Sequence, residues 1–142
     1  MDKYETTVAT FNKLADVYQE KYMDFDLYFD TYDRFCELVM NENATILEVA
    51  CGPGNITKYL LNKRPDFKIN GFDLAPNMVK LAKTNNPKAK FEVLDCREVS
   101  LIRGQFDAIM CGFSFPYLSK EDVARFIVDA RCLIKKDGIL YI

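Results

Sequence analysis

Three acids, each within or ending a short β-rich run, are the residues best placed to do chemistry. They are Glu48 in Ile46-Leu47-Glu48-Val49-Ala50, Asp73 ending Ile69-Asn70-Gly71-Phe72-Asp73, and Asp95 ending Phe91-Glu92-Val93-Leu94-Asp95. The first run passes directly into Cys51-Gly52-Pro53-Gly54-Asn55, where two glycines open backbone conformations closed to other residues and let a ligand approach the main chain. A helical pattern resumes near Ile56, so free N–H groups and a partial positive charge at a helix start face the same turn and suit a carboxylate or phosphate. Parallel strands would align these ends along one crevice. A carboxylate after the second strand suits a pair of ribose hydroxyls, and one after the third suits an exocyclic adenine amine while repelling phosphate. Gly52 and Gly54 alone read equally well as a tight turn; the two strand-end acids make the turn a ligand site. Glu48 sits near the core, where fixing the loop and holding a ligand amine are both open to it.

The residue at the third-glycine position of a dinucleotide fingerprint is Thr57, which, with Asp95, argues against a nicotinamide-dependent oxidoreductase. The chain has no histidine, which removes the commonest general base and metal ligand.

The elements that must position these groups follow from periodicity. Val8, Phe11, Ala15, Tyr18 and Tyr22 repeat at helical spacing, and Phe25, Tyr28 or Phe29, Tyr32, Phe35 and Val39 form a second such pattern ending before Asn41. Two helices are thus expected before the first strand. Ile56, Tyr59 and Leu60 mark a helix that stops before Arg64-Pro65, and Pro76 opens another whose buried stripe is Met78, Leu81 and Ala82. Ser119 with Asp122 resembles a capping box for a helix through Val123, Phe126, Ile127, Ala130 and Leu133 or Ile134, ended by Asp137-Gly138. A fifth strand then begins at Ile139. Strands alternating with helices imply an α/β fold with a parallel sheet and right-handed crossovers.

Four motifs in order carry a family resemblance: Glu48 to Gly54, Gly71 to Met78, Asp95-Cys96, and Phe106 to Phe113. Over about residues 45 to 142 the chain resembles the class I S-adenosylmethionine-dependent methyltransferases, within them the small-molecule group that includes the ubiquinone and menaquinone C-methyltransferases. The resemblance implies a Rossmann-like, doubly wound sheet of strand order 3-2-1-4-5, a helical cap or lid at residues 1–43 and a cofactor domain at 44–142. By the same resemblance the backbone of Ala50, Cys51, Gly52 and Gly54 holds the methionine end of S-adenosylmethionine, and Asp73 takes the ribose. Leu74 and Met78 would pack on adenine, Met78 serving equally as core filler, and Asp95 with the Cys96 N–H would read the adenine edge. Gly112 and Phe113 complete the expected cofactor set. A hydroxyl of Tyr18 or Tyr22 in the lid would touch the cofactor carboxylate or the substrate. Two positions depart from the family pattern. Ala50 replaces the usual first glycine, and Ala75 replaces a frequent Ser or Thr, removing a helix N-cap worth ~1 kcal/mol.

Methyl transfer from a sulfonium needs mainly alignment and exclusion of water. An acceptor that also needs a base would have only Tyr18, Tyr22 or an unassigned carboxylate. Phe113, Phe115 and Tyr117, after the fourth strand, are expected to edge a small-molecule acceptor pocket. A nucleic-acid amino-methyltransferase would carry Asn or Asp, Pro, Pro and an aromatic residue there, whereas this chain has Gly112-Phe113-Ser114-Phe115-Pro116-Tyr117. The remaining alternative is a module that binds the cofactor and transfers nothing.

With 142 residues, 49% of them hydrophobic, the chain suffices for one core. A net charge of −2 with scattered Lys and Arg lacks the basic face that nucleic acid or an anionic membrane favours. Without an apolar span or a secretory start, a cytoplasmic location is expected. Cys36, Cys51, Cys96, Cys111 and Cys132 are not spaced as metal or redox pairs and read as reduced thiols. The related fold has seven strands and this chain stops at Ile142, so a fragment is expected, with a fifth strand whose bare apolar edge self-associates.

Overall fold

The computed structural model describes residues 2–142. Three helices, α1 (Lys3–Lys13), α2 (Ala15–Tyr22) and α3 (Phe29–Leu38), precede the alternation β1 (Thr45–Val49), α4 (Asn55–Lys63), β2 (Lys68–Asp73), α5 (Pro76–Asn85) and β3 (Lys90–Val93). A 3-10 turn at Cys96–Leu101 leads into β4 (Phe106–Cys111), and α6 (Lys120–Leu133) into β5 (Ile134–Tyr141). The five strands form one sheet in the order β3-β2-β1-β4-β5, parallel at every pairing. This is the expected Rossmann-like arrangement. Order reverses between β1 and β4, and the crevice outside their carboxyl ends is where such sheets take ligands.

Alternation along β1 divides the core. Ile46 joins Ile69, Ala108 and Met110 under Tyr32 and Phe35 of α3 and Ile56 and Leu60 of α4. Leu47 and Val49 face the other way, with Phe72, Ile109 and Cys111, onto Phe126, Ala130 and Leu133 of α6. All of β4 is buried, as a parallel strand covered on both faces must be. At the amino end of the sheet, Asp107 accepts hydrogen bonds from the Thr45 N–H (2.8 Å) and Asn41 Nδ2 (2.9 Å), with Lys135 Nζ at 3.3 Å. Burial by itself raises its pKa, but these donors outweigh that and hold it at about 2. Asp107 therefore orients strands far from the crevice. Arg64 satisfies the end of α3, donating to the carbonyls of Cys36 (3.1 Å) and Val39 (2.7 Å), which a helix end leaves without intrahelical partners, and beyond it to that of Asn41 (3.0 Å).

Three boundaries differ from the periodicity. The first amphipathic pattern is two helices broken at Leu14, whose φ of −101° and ψ of 18° leave the helical region. The second begins only at Phe29, leaving Phe25 outside. Asp137-Gly138 does not end α6, because Ile134 already pairs with Phe106 and Ile139 with Ala108. The intervening residues bulge, with Asp137 at φ 62°, so a turn-forming pair serves a strand irregularity.

Candidate functional site at the strand ends

The turn after β1 holds three successive departures into left-handed backbone, Ala50 (φ 54°), Gly52 (φ 54°) and Gly54 (φ 81°). Gly54 is required twice over. Its φ favours glycine, and a Cβ there would lie 2.4 Å from Asn86 Nδ2 and 3.2 Å from the Ala82 backbone. That closeness lets α5 brace the turn from behind. Asn86 Nδ2 donates to the Gly54 carbonyl (2.9 Å) and Asn85 Nδ2 to the Pro53 carbonyl (2.8 Å). Ala50 occupies its conformation despite a Cβ, a cost of about 1–2 kcal/mol for a non-glycine residue.

Asp73 is the polar centre of the cleft. One carboxylate oxygen accepts the Gly52 N–H at 2.9 Å and the other the Ala75 N–H at 2.9 Å, which locks the side chain across the start of α5 and the turn. Each oxygen keeps a further lone pair for a ligand hydroxyl. Burial raises the Asp73 pKa, and the N–H groups of Ala75, Gly52 and Leu74 oppose that rise.

Around it lies a cavity of about 860 Å³, counting its open mouth. Of the residues expected from the sequence, Tyr18, Ala50, Cys51, Gly52, Asp73, Leu74, Met78, Cys96 and Phe113 line it. Glu48, Gly54, Tyr22, Asp95 and Gly112 are outside that lining, each for a visible reason. Glu48 is 1% exposed and turns beneath α4, where Oε1 accepts the Thr57 hydroxyl at 2.9 Å. Its Oε2 has no partner among the described residues, and burial, the largest cause, pushes its pKa up to about 8. Thr57, set aside as a missing glycine, thus anchors this carboxyl. Asp95 is engaged by Arg97, accepting from its backbone N–H (2.8 Å), Nε (3.1 and 3.0 Å) and Nη2 (2.8 Å). Gly54 and Gly112 support from behind; a Cβ on Gly112 would press on Ile56 Cδ1 at 2.9 Å. Tyr22 stacks outside Tyr18, ring centroids 4.6 Å apart.

Sequence reasoning missed part of the wall. Tyr4 and Thr7 of α1 line the cavity beside the expected amphipathic residues Val8 and Phe11, as do Asn55, Leu94 and Ser114. The spacing of Tyr4, Val8 and Phe11 is the amphipathic signal that could have extended the lid face backward to Tyr4. Tyr18 sits in the wall with its pKa pushed up to about 12, mainly by burial and also by its neighbours Tyr22, Tyr117 and Asp73. Its hydroxyl is therefore protonated at neutral pH.

The lining fits a ligand joining a base, a sugar and an amino acid. Leu74, Met78 and Leu94 line the cavity with apolar surface, Asp73 presents two acceptor oxygens, and the start of α4 has free N–H groups of the kind that suit an anion.

Residues 46–138 match the methyltransferase domain family. The chain is 27% identical over 135 residues to the demethylmenaquinone methyltransferase of Thermotoga maritima, covering 93% of this chain and 58% of that protein. It is 32% identical over 97 residues to the malonyl-[acyl-carrier protein] O-methyltransferase of Acetivibrio thermocellus, covering 67% of this chain and 33% of that protein. The chain therefore spans about a third to three-fifths of the length of these relatives. Among solved structures, the magnesium protoporphyrin IX methyltransferase of Synechocystis PCC 6803 with bound S-adenosylmethionine superposes with a TM-score of 0.77 at 16% identity, over 95% of this chain and 73% of that one, a likeness of fold. Sheet order, glycine turn and the matched family together place this chain in the class I S-adenosylmethionine-dependent methyltransferases.

Proposed function

We propose that the protein transfers a methyl group from S-adenosylmethionine to a small-molecule acceptor, and that the cleft centred on Asp73 is the cofactor site. The observation that carries this reading is the Asp73 carboxylate, fixed by two backbone N–H groups at the end of β2 beside a turn with three left-handed residues. The cofactor, when bound, supplies an electrophilic methyl on a positively charged sulfur. Asp73 orients the ribose, the backbone from Ala50 to Gly54 holds the amino-acid end, Leu74 and Met78 clasp the base, and the Cys96 N–H reads its edge. Asp95 reads that edge only as far as its bonds to Arg97 leave acceptor capacity. Glu48 acts from below, bracing α4 against β1 through Thr57. Residues 1–43 form the lid over this domain.

The acceptor side is aromatic. Phe11 packs on Tyr18 (centroids 5.9 Å) and Tyr117 (5.3 Å), Tyr18 on Tyr22 (4.6 Å), Tyr22 on Phe25 (5.6 Å), Phe25 on Tyr28 (6.2 Å), and Tyr28 on Phe113 (4.8 Å). This arc starts and ends in the loop after β4, and no Lys or Arg lines the cavity among the described residues. An anionic acceptor would lose water there without gaining a counter-charge. The wall suits an uncharged acceptor whose nucleophile is competent without a protein base, since Tyr18 stays protonated and Asp73 is tied to the turn. Nucleic acid and membrane are not its partners.

Titration calorimetry with S-adenosylmethionine and with NADH tests the reading. Binding of the first alone is expected, and binding of the second alone would replace a transferase with an oxidoreductase. Transfer of radiolabelled methyl into small molecules of a cell extract separates enzyme from silent binding module.

A further inference from the structure

The helix α1 forms one wall of the cavity, yet none of its residues is buried. Tyr4, Val8 and Phe11 pack partly buried against the core, and polar contacts at its two ends tie it across the cleft. At its start, Asp2 Oδ2 accepts Arg97 Nη1 at 3.1 Å, while the same guanidinium grips Asp95 and stacks 4.4 Å from the centre of the Tyr4 ring. The Tyr4 hydroxyl is 3.3 Å from Cys96 Sγ. At its far end, Asn12 Oδ1 accepts the Asn77 N–H at 2.8 Å, and the Asn12 carbonyl accepts Asn77 Nδ2 at 3.0 Å. The second tie has a further meaning. Ala75 is the N-cap residue of α5 and provides no side-chain cap, so a free N–H in the first turn of α5 is satisfied by a side chain from α1. The cap that Ala75 lacks is thus supplied in trans, at Asn77, three residues beyond Leu74 and four beyond Asp73.

We infer that Asp2 with Arg97, and Asn12 with Asn77, are paired clasps that position α1 over the cofactor site, and that their release sets the rate at which cofactor enters and leaves. Both clasps are polar and partly exposed, and beyond them α1 is held only by partly buried side chains, Tyr4, Val8 and Phe11, so its opening draws on few fully buried contacts. Arg97 links closure to the third-strand end of the cleft, because the group that holds Asp2 also holds Asp95. Asn12 links it to the second-strand end, because closure completes the first turn of α5. The gating role rests on the methyltransferase reading of the cleft; the clasps themselves do not.

Two variants open the clasps separately. Asp2→Ser keeps an N-cap for α1 but is too short to reach Arg97, and Asn12→Ala removes the trans cap. Asn12→Asp keeps an acceptor of equal capping rank and is the conservative control. Hydrogen exchange on the cofactor-free protein reads the clasps directly. Amides of Lys3–Lys13 should exchange roughly three- to thirtyfold faster in Asn12→Ala, the range that loss of one capping contact carries, and up to about fivefold faster in Asp2→Ser, the range of an exposed ion pair, with sheet amides unchanged and Asn12→Asp near the parent. Unchanged α1 exchange, or equal acceleration of α1 and the sheet, would overturn the clasps. Stopped-flow dissociation of S-adenosylmethionine reads the gate, and faster release in the two disruptive variants but not in Asn12→Asp is expected. Parent binding with the same release rate in every variant overturns gating alone. A parent that binds no S-adenosylmethionine refutes the reading of the cleft, and gating with it.

Discussion

Asp73, Ala50 and Glu48 show how a single side chain takes its role from its surroundings. Asp73 gains rigidity from the Gly52 and Ala75 N–H groups before any ligand arrives, and a charge-assisted hydrogen bond lost to a ligand is worth about 1.5–3 kcal/mol. Asp73→Ala is therefore expected to weaken S-adenosylmethionine binding about ten- to a hundredfold with the fold retained; equal affinities by calorimetry would remove Asp73 from the ribose. Ala50 stands at φ 54°, so Ala50→Gly should raise stability by about 1 kcal/mol, read as a higher urea midpoint at unchanged slope. Glu48 has a pKa raised by burial to about 8 against an ordinary 4.5. Between those values the folded chain keeps a proton that the unfolded chain has released, so this residue's contribution to stability is full below pH 4.5 and is lost as pH rises towards 8. Glu48→Gln should flatten that decline, and melting curves that fall with pH as steeply in the variant as in the parent would show that Glu48 is not its source.

Among the elements, the glycine turn, α5 and β5 show which local rules survive in the fold. The turn was legible because its glycines interrupt an apolar run. Its bracing was not, since Asn85 and Asn86 lie 32 residues from the carbonyls they hold and carry no local signal. The absent cap at Ala75 was legible as a deficit, while its remedy by Asn12 needed α1 and α5 side by side. At β5 the Asp137-Gly138 pair reads locally as a helix stop, yet α6 already ends at Leu133 and the pair forms a bulge. A Cβ on Gly138 would lie 2.5 Å from Ile134 Cγ1, 2.8 Å from the Lys135 carbonyl and 3.0 Å from the Asp107 carbonyl. Gly138→Ala should then destabilise the protein by roughly 1–3 kcal/mol, whereas an unchanged denaturation midpoint would mean that the bulge absorbs a methyl group.

For the molecule as a whole, β5 pairs with β4 and with no other strand among the described residues, which leaves a row of backbone donors and acceptors beside the partly exposed Ile139 and Leu140. Such an edge is a template for another strand. Light scattering of this chain is expected to show a mass that rises with concentration, and a monomer throughout would exclude the edge as a contact. The alternation of strands with helices that builds a parallel sheet, and the place of Asp73 at a strand end beside the glycine turn, were determined by the sequence itself, while the strand order was implied by the family resemblance. Strand periodicity and glycine conformation act over a few residues, and right-handed crossovers restrict how the resulting units can be joined. Tertiary structure alone decided where Glu48 and Asp95 point and how α1 is held against the cleft. Those outcomes depend on partners distant in the chain and on competition for each carboxylate: Thr57 takes Glu48, and Arg97 takes Asp95 while reaching Asp2 across 95 residues. A side chain's direction is set by whichever donor the packed fold brings within hydrogen-bond range, and no periodicity records that contest.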